Sequence, residues 1–129
     1  MASSAPRHVL VIDGDVAVRD LHRDLLEGEG YRVTDRADPD LTVADVTHFA
    51  PDLIVLELLF ERQSTGLPFL ARLKADPATA AIPAIVCSGA IDVIEASQEQ
   101  LDAWKCGIAA KPFEIDVLIA MARDACAGG

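Results

Sequence analysis

The chain has 129 residues, about half of them hydrophobic and a quarter charged, with a net charge of −10. These values describe one compact domain with a real core, and they exclude a disordered chain. Strong acidity without any Lys/Arg cluster argues against nucleic acid and anionic membranes as partners, leaving proteins or small ligands.

No apolar run reaches the roughly 20 residues of a membrane span, and Met1 to Pro6 carries no signal-peptide core. Cys87, Cys106 and Cys126 are odd in number and show no CxxC spacing, so a reduced, cytoplasmic protein is expected. Cys87 lies inside an apolar run and reads as a small buried hydrophobe.

Apolar runs alternate with amphipathic stretches, the pattern of a parallel sheet covered on both faces. His8 to Asp13 is a nearly continuous apolar strand. Asp15 can cap the helix that follows, in which Val18, Leu21 and Leu25 form the inward stripe, and Gly28 and Gly30 end it. Tyr31 to Asp35 alternates as a more exposed strand, and a short helix is expected from Asp38-Pro39-Asp40 to about residue 48. Leu53 to Glu57 is the clearest buried strand. A loop runs from about Leu59 to Thr65, and a helix from Gly66 to Lys74 turns Leu70 and Leu73 inward. Ala84 to Ser88 is a fourth strand. Residues 91–104 read as one helix with Ile91, Ile94, Leu101 and Trp104 on one side, weakened by a polar gap at Ser97 and Gln98. Gly107 to Ala110 is a short fifth strand, and Phe113 to Ala125 a closing helix with Phe113, Val117 and Met121 as its core stripe. Ala127 to Gly129 reads as a frayed tail.

Five βα units predict a doubly wound parallel sheet in the flavodoxin-like order 2-1-3-4-5, with helices on both faces. Residues 6–126 are expected to form a single domain, with no output domain. In such sheets the functional crevice lies at the carboxyl ends of the strands, where strand order reverses. That rule brings Asp13, Gly14, Asp15, Glu57, Ser88 and Lys111 to one mouth.

These residues resemble the active-site set of response-regulator receiver domains, of the kind found in chemotaxis regulators. Val9 to Asp15 is similar to the family's apolar strand ending in an acidic pair. Pro51 to Glu57 is similar to the strand ending in the phosphorylated aspartate, and Ile82 to Ser88 to the strand ending in the switch hydroxyl. Gly107 to Phe113 contains the Lys-Pro-Phe segment, whose Lys-Pro bond the family typically makes cis. The resemblance implies two-component signal transduction through contacts with kinases, regulators or effectors. It also exposes departures. Glu57 stands at the phosphoacceptor position, Gly14 where a magnesium ligand is usual, and Ile108 in place of the switch aromatic. The loop after Glu57 is one residue longer, with Gly66 in the place of the family's loop glycine.

Glu57 therefore reads as a displaced phosphoacceptor, a built-in mimic of the phosphorylated state, or a plain ion-pair partner of Lys111. Its extra methylene moves the carboxylate, and phosphoryl transfer depends on positioning and charge neutralisation. Asp13 points into the mouth and is the one candidate metal ligand, holding magnesium weakly or not at all. Asp15 is a helix cap or a second pocket acid. Ser88 is the switch hydroxyl and Lys111 the pocket lysine, expected to pair with Glu57 or Asp13. His8, His22 and His48 lack metal spacing and are expected on solvated or boundary faces. Trp104 is an interface candidate.

Together these readings give an atypical, non-enzymatic receiver acting by protein–protein contact through its last strand and last two helices, with a homodimer there as one option. No cofactor is expected. The alternatives are an ordinary phosphorelay receiver using Glu57 or another site, and a small flavodoxin-like enzyme. Against the latter, the chain has no glycine-rich phosphate loop and no nucleophile–His arrangement.

Overall fold

The computed structural model describes residues 6–127. Five strands, β1 (His8–Ile12), β2 (Arg32–Arg36), β3 (Leu53–Leu56), β4 (Ala84–Ser88) and β5 (Gly107–Ala110), form one sheet. They pair in the order β2-β1-β3-β4-β5, every pair parallel. Six helices connect and cover them: α1 (Val16–Gly28), α2 (Val43–Phe49), α3 (Gly66–Ala75), α4 (Ile91–Ala96), α5 (Gln98–Ala103) and α6 (Ile115–Ala127). The doubly wound order expected from the sequence is the one found.

Successive strand residues point to opposite faces, and the central strands are buried throughout because both faces are covered. Leu10, Ile12, Ile54, Leu56 and Val86 join Phe69, Leu70, Leu73, Ile94 and Leu101 in one apolar layer, which includes α3, α4 and α5. Val9, Val11, Leu53, Val55, Ile85 and Cys87 join Leu26, Leu118, Ala122 and Cys126 in the other, beneath α1 and α6.

Several helix phases and limits differ from those expected. The inward face of α1 centres on His22 and Leu26, while Leu21 is 41% exposed. A leucine stripe alone misphases this helix, since hydropathy treats His22 as polar. In α6, Leu118, Ala122 and Cys126 face the sheet and Val117 faces outward. Ile91 is likewise exposed at the start of α4. The expected 91–104 helix breaks at Ser97 into α4 and α5, each too short to sustain a long stripe. Helix α2 starts only at Val43, where Thr42 and Asp45 form a reciprocal capping box. Before it, the Asp38 carboxylate accepts from the Asp40 N–H and holds a turn. Helix α6 begins at Ile115, after a cis Lys111–Pro112 bond, and runs through Ala127. Ala127, expected in a frayed tail, is therefore helical, while Gly128 and Gly129 lie outside the described residues.

The histidines need the largest correction. Only His48 is exposed. The ring of His8 is buried, its Nδ1 2.9 Å from the Phe49 carbonyl and its Nε2 2.7 Å from the Thr34 hydroxyl. His22 is fully buried beneath α1, with its ring centroid 5.3 Å from that of Phe113.

Candidate functional site

Asp13, Glu57 and Lys111 each follow directly on a strand, β1, β3 and β5, at the end of the sheet where strand order reverses. The Lys111 ammonium donates to Asp13 Oδ2 at 2.7 Å and to Glu57 Oε1 at 3.0 Å, so one cation bridges both acids. Both carboxylates are largely buried, which makes the shared cation a requirement of the fold as well as a feature of the mouth. Burial pulls the Lys111 ammonium down, but hydrogen bonds and charge from Asp13 and Glu57 outweigh it, leaving Lys111 above its ordinary value.

The other oxygens are also engaged. Asp13 Oδ1 accepts from the Asp15 N–H at 2.9 Å, and Glu57 Oε2 accepts from the N–H groups of Leu58 and Leu59 at 2.6 and 3.2 Å. The Arg19 guanidinium donates to the Asp13 carbonyl at 2.7 Å and ties the first turn of α1 to the end of β1. Nothing in the sequence marked Arg19. Asp15 caps α1 by accepting from the Ala17 N–H at 2.9 Å.

These groups open on a cavity of about 730 Å³, in which Asp13, Asp15, Asp38, Glu57 and Glu61 face a single cation, Lys111. Gly14 lines it too. A Cβ there would lie 3.6 Å from both the Ala37 carbonyl oxygen and the Phe60 ring, which is ordinary contact. Ser88 does not join this mouth. It is fully buried, and its hydroxyl oxygen accepts from the Ala90 N–H at 3.1 Å. Its place at the end of β4 was legible, its complete burial was not.

The loop after β3 has structure of its own. Phe60 and Gln63 exchange two backbone hydrogen bonds of 2.8 Å, and Glu61 and Arg62 between them both have left-handed backbones. This is a two-residue hairpin turn built without glycine. It holds the Phe60 ring against Gly14. Gly66 closes the loop, since a Cβ there would lie 2.3 Å from the Glu57 carbonyl oxygen and 2.7 Å from Leu58 Cα. Trp104, the expected interface residue, is half-buried against the α3–α5 layer.

The fold and the acid–lysine mouth are those of a doubly wound α/β domain with a crevice at the carboxyl ends of its strands. Residues 9–123 match the response regulator receiver domain, and the chain belongs to that family. It is similar to the DNA-binding dual master transcriptional regulator RpaA of Synechocystis, 31% identical over 89% of this chain. The chain spans only 47% of that relative's length. Among solved structures it is similar to the receiver domain of NtrX from Brucella abortus, at 27% identity and a TM-score of 0.78, covering 94% of this chain and 99% of that one. It also shares its fold with the chemotaxis protein CheY4 of Vibrio cholerae, at 19% identity and a TM-score of 0.80, covering 94% and 99% of the two chains. Among the described residues, no helix is long and apolar enough to cross a membrane.

Proposed function

We propose that this receiver domain signals by protein–protein contact, independently of aspartyl phosphate. The observation that carries this is Glu57 at the acceptor position, with both carboxylate oxygens engaged by Lys111 and by the Leu58 and Leu59 N–H groups. An attacking carboxylate must present a free oxygen in line with the phosphoryl donor, and the site must neutralise the incoming charge. Here Gly14 contributes no carboxylate, and Lys111, a single positive charge, is already committed to both Asp13 and Glu57.

The residues do not fit a resident magnesium ion. That ion wants an octahedral set of oxygens. Asp13 Oδ2 and Glu57 Oε1 are both bonded to Lys111, whose positive charge opposes a second cation beside it, and among the described residues no group of three or more His, Cys, Asp or Glu could hold a metal. Magnesium therefore binds weakly at most. The contact face we favour is the last strand with its flanking helices, where Ile91, Ile115 and Val117 are exposed apolar side chains. A homodimer through this face is a subordinate option, which light scattering across a concentration series decides.

Treatment with a small phosphodonor and magnesium, followed by intact mass measurement, tests the central point. The parent protein should remain unmodified, and Glu57→Asp alone should gain little. Glu57→Asp with Gly14→Asp should gain more than the two single changes together, because nucleophile and charge neutralisation act as one unit. The backbone at Gly14 does not have positive φ, and a Cβ there meets only ordinary contacts, so the second substitution is sterically sound. Full modification of the parent would overturn the proposal.

A further inference from the structure

His22 sits at the middle of the inward face of α1, one turn before Leu26, in a position where an apolar side chain would be ordinary. It is completely buried, and neither ring nitrogen has a hydrogen-bond partner. Its neighbour across the seam between α1 and α6 is Phe113, two residues after Lys111. The ring therefore joins α1 to the segment that carries the cation of the mouth.

We propose that His22 is a proton-gated latch: neutral, it packs under Phe113 and closes the α1–α6 seam, and on protonation it opens that seam. The latch needs no phosphoryl chemistry, so it stands or falls independently of how Glu57 behaves.

A protonated imidazole carries two N–H donors and no acceptor, and this site supplies neither a carbonyl nor a free carboxylate to receive them. The charged groups bearing on it come from the strand ends. Asp13 after β1 favours the cation and Lys111 after β5 opposes it, and these two are paired to each other at 2.7 Å. On α1 itself, Arg19 is committed to the Asp13 carbonyl, and Arg23 to Glu27, Asp35 and the Val33 carbonyl. The remaining titratable groups of this layer are neutral. Burial raises the Cys87 thiol of β4 to about 12, and raises Cys126 of α6 and the Tyr31 hydroxyl before β2. The charged side chains of α6, Asp116, Arg123 and Asp124, are exposed. No group in the seam is therefore free to compensate an imidazolium.

The direction of the pH response follows. Desolvation by burial, beyond what Asp13 offsets, holds His22 below its ordinary value of 6.5 in the folded state. The unfolded chain thus binds the proton first. Stability from the neutral ring is complete above pH 6.5 and falls as pH drops below it, until the folded value is reached.

The test compares the parent protein with His22→Leu, which is apolar, and His22→Gln, which is polar but does not titrate. Urea unfolding at about pH 6.5 and about pH 5.5 should show the parent losing up to about fivefold more of its folding constant than either variant. Hydrogen exchange, corrected for intrinsic rates, should show α1 and the start of α6 losing protection on acidification before α3 does. NMR of the imidazole in the parent should find His22 still neutral at pH 6.5, a readout that survives if both variants fail to fold. Equal acid sensitivity in parent and variants, uniform loss of protection across the sheet, or a His22 ring half-protonated at pH 6.5 in the folded protein would each overturn the proposal.

Discussion

The two faces of the sheet are built from different materials. The layer under α3, α4 and α5 is filled with large apolar groups, Phe69, Leu70, Leu73, Leu56 and Leu58 among them. The layer under α1 and α6 uses smaller ones, Cys87, Ala109, Ala122 and Cys126, and admits the unpartnered His22. The ionic centre bears on this second layer, since Lys111, Asp13 and Glu57 all act on Cys87. The difference assigns bulk cohesion to one face and sensitivity to charge to the other.

The contrast is most easily broken at Phe69. Phe69→Ala removes a fully buried ring from the denser layer and should cost about 3–5 kcal/mol in urea unfolding. A much smaller loss would mean that this layer collapses around the gap and is not the cohesive one.

Lys111→Met probes the other side. Removing the shared cation leaves Asp13 and Glu57 buried and facing each other, which for a fully buried pair would cost several kcal/mol. Lys111 is partly exposed, its side chain at 22%, so water screens some of this and about 2 kcal/mol at neutral pH is expected. In the parent, Lys111 is held above its ordinary value, so its contribution is complete below pH 10.5 and lost only as pH rises past it. Acid sensitivity near neutrality thus belongs to His22, not to this lysine.

Asp15→Ala should cost about 1 kcal/mol by uncapping α1, and should leave the α3–α5 layer unperturbed in hydrogen exchange. Glu27→Gln, which removes an exposed ion pair with Arg23, should change stability by less than about 0.5 kcal/mol. A larger effect there would place electrostatic weight at the rim of α1 instead of at its buried face.

The sheet was legible because strands covered on both faces must be apolar along their whole length. β1, β3 and β4 therefore announce themselves, and strand ends at a reversal point select Asp13, Glu57 and Lys111. What was not legible depends on directions that residue type does not encode. Leu21 and Val117 are apolar yet face outward, because the neighbouring positions of α1 and α6 fill the available depth. Ser88 ends the right strand but is fully buried, its hydroxyl held by the Ala90 N–H just beyond the strand. The hairpin at Phe60–Gln63 lacks the glycine or asparagine that normally signals one, and only its backbone reveals it. The break at Ser97 had a sequence signal, the polar gap, which marks the junction of α4 and α5.

The ring of His8 bears on how the sheet assembles. The Phe49 carbonyl can only accept, so Nδ1 carries the proton and Nε2 accepts from the Thr34 hydroxyl. One bond reaches β2 and the other the end of α2, and the Thr34 bond accompanies the register that sets His8 opposite Arg32. A slip of β2 by one residue would turn Thr34 to the other face and leave the buried Nε2 without its donor, at about 1–3 kcal/mol. His8 therefore adds a directional polar bond to the alignment of the first parallel pair, in which Val33 is the one buried residue of β2.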